Sequence, residues 1–340
     1  MIPFCKAQIG KKERKAVDKV LKSGWLTTGK VTRQFEKEFA EYVDSEYAVA
    51  VSSCTVALEL ALKCKGIGKG DLVIVPSFTF AATAQAPLNV GADILFGDIE
   101  PVNYTLDPRC PHVKLGLKHA KAVIPVHLGG RKARTDYLNK IVIEDSAHRI
   151  ERGQCAGNNN LVCFSFYPTK NMTTGEGGMI ATNSREDYEW LLKARSHGRD
   201  KLVGHGYEVH FTGMKANLPD VLSAIGLEQL KKLDWMNRKR DEIVELYNMN
   251  LNRGKWHGNH LYPIFVKDAE DFIRYMRDNG VQCSQHFQPL HKMKGFAKHN
   301  KFKLLMTEKL APKEVSLPLY PALKRREVLK ICKLINDYEN

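Results

Sequence analysis

The chain has 340 residues, 43% of them hydrophobic, enough for one large α/β domain, a smaller one and a sizeable core. No apolar run reaches membrane-spanning length, and the opening MIPFCKAQIGKKERK lacks the apolar stretch of a secretory leader. The eight cysteines are scattered without a CxxC pair or finger spacing, which argues against a zinc site or a disulfide framework and for a reducing, cytoplasmic setting.

The formal charge of +14 is spread along the chain rather than gathered in one stripe. Its densest groups, Lys11, Arg14 and Lys15, then Lys324, Arg325 and Arg326, fall on amphipathic helical patterns and read as solvated faces. A polyanionic small molecule is therefore a better match for this field than nucleic acid, and no membrane partner is expected.

Val17, Val20 and Leu21 recur at helical spacing within 10–22. SGWLTTG (23–29) interrupts, and a second helix runs through Phe35, Phe39 and Tyr42. YAVAV (47–51) reads as a short buried strand leading into Ser52–Thr55, which caps a helix carrying Leu58, Leu60, Leu62 and Cys64. LVIVP (72–76) reads as a strand and TFAATAQAPLNVG (79–91) as a helix ended by glycine. DILFGDI (93–99), KAVIPVHL (121–128), KIVIEDS (140–146), VCFSF (162–166) and GGMIATN (177–183) read as further strands. Short apolar strands alternating with helices predict an α/β fold with a mostly parallel sheet covered on both faces. Near residue 235 the pattern changes. A long helix (220–250) leads to HLYPIFV (260–266), a helix from Asp268 to about Gly280, VQCSQHF (281–287) and a last helix (323–338). The expected division is a large domain, 1–235, and a smaller C-terminal α/β domain, 236–340.

The stretch FSFYPTKNMTTGEGGMI (164–180) carries the most chemistry. A strand ends at Ser165, and Lys170 follows on a loop where α/β folds bind ligands. A Schiff base needs a neutral amine, and partial burial moves a lysine toward that state. Ser165 offers a hydroxyl to a phosphate, and the glycines permit close backbone approach. Taken alone, Lys170 would be an ordinary surface lysine; its surroundings favour the functional reading. In IVIEDSAH (141–148) an apolar strand ends in Glu144 and Asp145. A carboxylate there needs a partner, and the pyridinium of pyridoxal phosphate (PLP) is one. Asp145, the terminal residue, is better placed than Glu144, although a plain helix cap is the simpler account of an isolated aspartate. Ser53, Cys54 and Thr55, at a strand-to-helix junction, could cradle a phosphate or serve only as a cap. Phe78 or Phe80 could stack on a flat ring or pack in the core.

These stretches, in their order, resemble the DegT/DnrJ/EryC1/StrS family of PLP-dependent sugar aminotransferases, a fold-type I group. IPFCKAQIGKKERKAVDKVLKSGWLTTG, SSCTVALELAL, PSFTFAATAQAP, the GDI of 97–99, PVHLGG, IEDSAH, FSFYPTKNMTTGEGGMI, GMKANLPDVLSAIGLEQL (213–230), HFQPLH (286–291) and LPLYP (317–321) carry the likeness over nearly the whole chain. The resemblance implies that Lys170 is the Schiff-base lysine and proton carrier, and that Asp145 meets the pyridine nitrogen. His148 would lie beside the phenolic oxygen and Phe80 on the ring. Ser53, Cys54, Thr55 and Ser165 would hold the phosphate. Lys215 would reach across a homodimer interface, making the sites shared. Trp25, Thr27, His286, Phe287 and His291 would line the substrate side.

It further implies ping-pong transfer from L-glutamate, leaving 2-oxoglutarate and the aminated cofactor (PMP), to a nucleotide-linked keto sugar in glycan biosynthesis such as that of lipopolysaccharide O-antigen. HFQPLH resembles relatives acting on 4-keto-6-deoxy sugars, of the perosamine- and viosamine-synthase kind, more than the YPxPLH of 3-amino formers. A 3-keto sugar or a cyclitol is the alternative substrate, and a non-catalytic regulator or nucleic-acid binder on the same fold the alternative class. Three departures stand out. Cys54 replaces a glycine common in relatives, the link RKARTDYLNK after PVHLGG is short, and 252–260 is trimmed, which together predict a compact member. A branch that carries histidine at the lysine position performs dehydration, and Lys170 argues against it.

Overall fold

The computed structural model describes residues 1–137, 139–201 and 206–339. Two amphipathic helices, α1 (Lys11–Ser23) and α2 (Lys30–Val43), precede the first strand, β1 (Tyr47–Val51). Then come α3 (Cys54–Cys64), β2 (Leu72–Pro76), α4 (Ala81–Asn89), β3 (Asp93–Gly97), α5 (Pro111–Leu117), β4 (Ala122–Val123), β5 (Ile141–Asp145), β6 (Leu161–Ser165), β7 (Gly178–Thr182) and α6 (Arg185–Ala194). A hairpin of β8 (Arg199–Lys201) and β9 (Tyr207–Val209) is followed by α7 (Asp220–Leu230) and α8 (Leu233–Asn250). The C-terminal part holds β10 (Tyr262–Phe265), α9 (Ala269–Asp278), α10 (Leu305–Leu310), β11 (Glu314–Leu317) and α11 (Arg325–Glu339). No helix of the described residues is long and apolar enough to cross a membrane.

Seven strands form the main sheet in the order β1-β7-β6-β5-β4-β2-β3. β7 is antiparallel to both its neighbours, and the remaining paired strands run parallel. Side chains alternate across a strand, and here both faces are apolar. Val49, Val51, Leu161, Cys163 and Ile180 pack on one side with Leu58, Leu60 and Leu62 of α3. Ala48, Ala50, Val162, Phe164 and Met179 pack on the other with Phe35 and Phe39 of α2. The expected α/β architecture with a mostly parallel sheet is therefore present.

A second apolar cluster joins Ile243, Tyr247, Tyr262, Ile264, Phe272, Val315, Leu317 and Ile331 around the β10-β11 pair. Ile2 belongs to it, bridged to Val281.

Three expectations are corrected. KAVIPVHL forms only the two residues of β4 plus a single bridge from Val126 to Asp145, because Pro125 has no N–H to continue the ladder. The helix expected over 220–250 is two helices, α7 and α8, broken at Lys231–Lys232. Lys232 turns there to pair with Glu13 at 2.5 Å, and Leu227, Leu230 and Leu233 all stay in one cluster. VQCSQHF is not a strand and makes only isolated bridges, Val281 to Ile2 and Ser284 to Ser316. The short link at 131–140, of which Leu138 lies outside the described residues, contains no helix among the rest. Residues 251–260 likewise form no regular element. Within them Trp256 stacks on Tyr104 (ring centroids 5.9 Å) and lies 3.9 Å from the Arg131 guanidinium.

Candidate active site

The parallel strands deliver their carboxyl ends to one edge of the sheet, where α/β folds place ligands. β1 ends beside Ser53, β2 beside Phe80, β5 at Asp145 and β6 at Ser165, five residues before Lys170.

Asp145 is 5% exposed. Its carboxylate accepts from the Thr83 hydroxyl (2.7 Å) and the Ala147 N–H (3.1 Å), yet no cation pairs with it among the described residues. Burial pushes its pKa up despite those donors and the charge of Lys170. Glu144, one residue earlier, points to the opposite face and is already engaged. Burial would raise it, but His127 (2.8 Å) and the amides of Asn160 and Asn158 hold it below the usual carboxylate range. The Ala133 N–H points at His127 Nδ1 (3.0 Å), so the ring proton sits on Nε2 and goes to Glu144.

Lys170 keeps part of its surface uncovered. Burial of the rest lowers its pKa to about 8, with Asp145 pulling it back upward. His148 is held far below its ordinary value, first by burial and then by the Lys170 charge. Gly129 N–H donates to His148 Nδ1 (3.3 Å), so this neutral imidazole carries its proton on Nε2. The Gly129 carbonyl accepts from His260 N–H (3.1 Å) and Leu261 N–H (3.3 Å). One residue, Gly129, thus orients His148 and ties it to the segment before β10.

Ser53 caps α3 by accepting from Val56 N–H (3.2 Å), which leaves the N–H groups of Cys54 and Thr55 without acceptors among the described residues. β7 passes hard against this turn: a Cβ on Gly178 would lie 2.6 Å from the Ser53 carbonyl carbon. Ser165 is buried with its hydroxyl free to donate. Burial raises the Cys54 thiol, so the residue is a neutral side chain here.

Phe80 is 61% exposed and lies 6.0 Å from Phe287. Phe287 in turn stacks on His148 (5.8 Å), and His148 meets His260 at 4.3 Å. His286 stacks on Phe4 (5.2 Å), and its N–H donates to Glu314, a carboxyl that burial pushes up to about 8.

Trp25 and Thr27 are exposed on the 23–29 loop. Asp220 anchors that loop by accepting from Gly29 N–H (2.7 Å) and Thr32 N–H (2.9 Å). Lys215 is exposed at the same corner and donates to Asn217 (2.5 Å), which reaches Thr28 (2.6 Å). Ala216 receives the Ser52 N–H beside the α3 turn (2.7 Å).

His291 stands apart from these residues. It is 1% exposed, with Nδ1 on Ser77 (2.6 Å) and Nε2 on Glu308 (3.2 Å), so neither nitrogen is free for a substrate. It is a satisfied core histidine, a correction to the expected substrate-side role. Thr83, Gly129 and His260 are contributors the sequence did not single out. His260, at the head of HLYPIFV, was visible as an imidazole entering a strand, but its neighbour His148 is 112 positions away.

The sequence profile of the DegT/DnrJ/EryC1/StrS aminotransferase family matches residues 7–336. The chain is 34% identical to the spore coat polysaccharide biosynthesis protein SpsC of Bacillus subtilis over 380 aligned positions, covering 99% of this chain and 96% of SpsC. That alignment is longer than the chain, so the chain carries deletions relative to SpsC. Spr1654 of Streptococcus pneumoniae, named as a sugar aminotransferase and solved in PMP and PLP forms, superposes in its PMP form with TM-score 0.90 at 26% identity, covering 99% and 98% of the two chains. Helicobacter pylori PseC, an aminotransferase of pseudoaminic acid biosynthesis, superposes with TM-score 0.90 at 25% identity over 98% of each. Aminotransferases of this family use PLP. The chain belongs to the DegT/DnrJ/EryC1/StrS aminotransferase family.

Proposed function

We propose that this aminotransferase carries an amino group from L-glutamate to a nucleotide-linked keto sugar, a 4-keto-6-deoxyhexose, in two half-reactions that share Lys170. The reading rests above all on one pairing. A lysine whose pKa burial lowers to about 8 lies with a buried carboxylate that has no counter-ion among the described residues, both at the carboxyl ends of adjacent strands.

The residues present fit PLP. The unpaired Cys54 and Thr55 N–H groups and the Ser165 hydroxyl suit its phosphate, and Asp145 lacks the cation that a protonated ring nitrogen would supply. Phe80 offers an exposed ring, and His148 an Nε2–H for the phenolic oxygen. Lys215, exposed on the loop beside the phosphate turn, suits a homodimer in which it reaches the neighbouring site. When bound, PLP supplies an electron sink that lets an amino group leave one carbon and join another.

The protein's own groups do the rest. The amine of Lys170 is far more often neutral than that of a solvated lysine, so it can take the α-proton of the donor and return one to the sugar carbon. Thr83 and Ala147 keep Asp145 aimed, and their donated hydrogen bonds favour its ionised form against the upward push of burial. The wall of Phe4, His286, Phe287 and His148 is uncharged, with His286 pushed down to about 4 by burial. Such a wall suits the apolar face of a deoxy sugar, while the net positive field suits the nucleotide diphosphate. The names of SpsC and PseC, each tied to making a saccharide, support a sugar acceptor. We divide the chain near residue 235 into a PLP-binding domain and a smaller C-terminal domain.

The test is a panel of acceptors offered to the PMP-loaded protein: UDP-, dTDP- and GDP-linked 4-keto-6-deoxy sugars, 3-keto sugars and a cyclitol ketone. A 4-amino sugar nucleotide is the expected product. Turnover of the cyclitol alone would overturn the substrate class while leaving the aminotransferase intact.

A further inference from the structure

Arg240, on α8, is 4% exposed and pairs with no carboxylate among the described residues. The other buried arginine, Arg195, has Glu36 beside it. A buried guanidinium without a counter-ion is costly, so what Arg240 does touch is informative. Its Nη2 donates to the carbonyls of Lys170 (3.4 Å) and Asn171 (3.1 Å), and its Nη1 to Asn237 (3.5 Å). The Asn171 amide donates to Asn237 (3.1 Å) and Asn259 (3.4 Å), and Asn237 donates to the Ile150 carbonyl (2.9 Å). The peptide that carries Lys170 is therefore held from α8 and from the segment before β10. On its other side Cys5 donates to the Thr169 carbonyl (3.7 Å).

Burial holds His260 far below its ordinary value, with Lys170 and Arg240 adding to it, and burial raises the Cys5 thiol against the pull of Arg240 and Lys170. The acid nearest in sequence, Asp241, is itself pushed up by burial, against a lowering influence from Asn259. Asp145 and the Cys54 and Cys5 thiols face Lys170 and pull the other way.

We propose that Arg240 is a positioning residue for Lys170. Its guanidinium fixes the Lys170–Asn171 backbone from which the amine projects. The proposal rests on Lys170 being the reacting amine.

The experiment uses the PLP-loaded full chain with Arg240→Gln, Arg240→Lys and Arg240→Met. The pH titration of the visible absorption of lysine-bound PLP is followed without substrate, and the rate of its loss is followed with L-glutamate. Arg240→Gln keeps one amide donor and loses the forked reach to the two carbonyls; its rate with glutamate should fall about tenfold or more while its titration midpoint stays. Arg240→Lys keeps the charge and loses the forked reach; its midpoint should stay, and its rate with glutamate should fall about tenfold or more. Arg240→Met, with no donor left, should lose at least as much rate.

A residue that only packs would lower the melting temperature and leave the rate unmoved. Rates within about twofold of wild type in both Arg240→Gln and Arg240→Met overturn the proposal. If Arg240→Met fails to fold, the Gln and Lys variants decide alone. A visible band that persists in Lys170→Arg shows instead that the assignment of Lys170 has failed.

Discussion

Lys170 should weaken the fold it serves. An amine moved from its ordinary 10.5 to about 8 costs on the order of 3 kcal/mol at neutral pH, at about 1.4 kcal/mol per pH unit. Because part of the side chain stays uncovered, about 1–3 kcal/mol is the realistic range for the cofactor-free protein. Lys170→Met, which keeps the length and removes the charge, should raise stability at pH 7 by that amount while abolishing turnover. The pH dependence fixes the cause. Below pH 8 the lysine is charged in both folded and unfolded chains, and the full penalty applies. Between 8 and 10.5 the folded chain has released a proton that the unfolded chain keeps, so the penalty fades as pH rises, and above 10.5 it is gone. Urea unfolding of the cofactor-free wild type and variant at pH 7, 9 and 10 reads the difference directly. A variant whose advantage is the same at pH 7 and pH 10, or which is less stable at pH 7, would refute the claim that burial depresses this amine.

Further outcomes follow from other contacts. Gly130 has φ +96, and a Cβ there would lie 2.7 Å from Asn259 N. Gly130→Ala should therefore lose about 2–3 kcal/mol in urea unfolding, and a loss under about 0.5 kcal/mol would show that the junction is loose. Thr83→Val removes a donor to the ionised form of Asp145 and so raises that pKa. The acid limb of the kcat/KM profile for L-glutamate should move up by about one pH unit; an unmoved limb would separate Asp145 from it. His260 has a buried Nδ1 with no hydrogen-bond partner among the described residues. His260→Phe should leave the cofactor-free protein at least as stable as wild type by thermal melting, because an unsatisfied polar atom is being removed. A loss above about 2 kcal/mol would point to a hydrogen bond not accounted for.

The strands that carry the site were legible because each is a short, near-continuous apolar run ended by polar or small residues, as in IVIED and LVCFS. Asp145 ends one such run and Lys170 lies five residues past the end of another, which makes both candidates from the sequence. What escaped was contact between distant segments. Arg240 lies 70 positions from Lys170, and Glu308 lies 17 positions from His291, whose burial turned an apparent wall residue into a core one. Local propensity also gave no sign of the break at Lys231–Lys232, since neither glycine nor proline marks it. The pairing of Lys232 with Glu13 comes from across the fold. By contrast, Pro125 was a visible signal that KAVIPVHL could not be one long central strand.

The most direct test of the central claim is the absorbance spectrum of the purified protein with PLP, before and after L-glutamate is added. The account predicts a visible band from PLP bound to a lysine, absent in Lys170→Ala, that gives way to a near-ultraviolet band of the aminated cofactor as 2-oxoglutarate appears. No visible band after incubation with PLP, or a band that persists in Lys170→Ala, would contradict it.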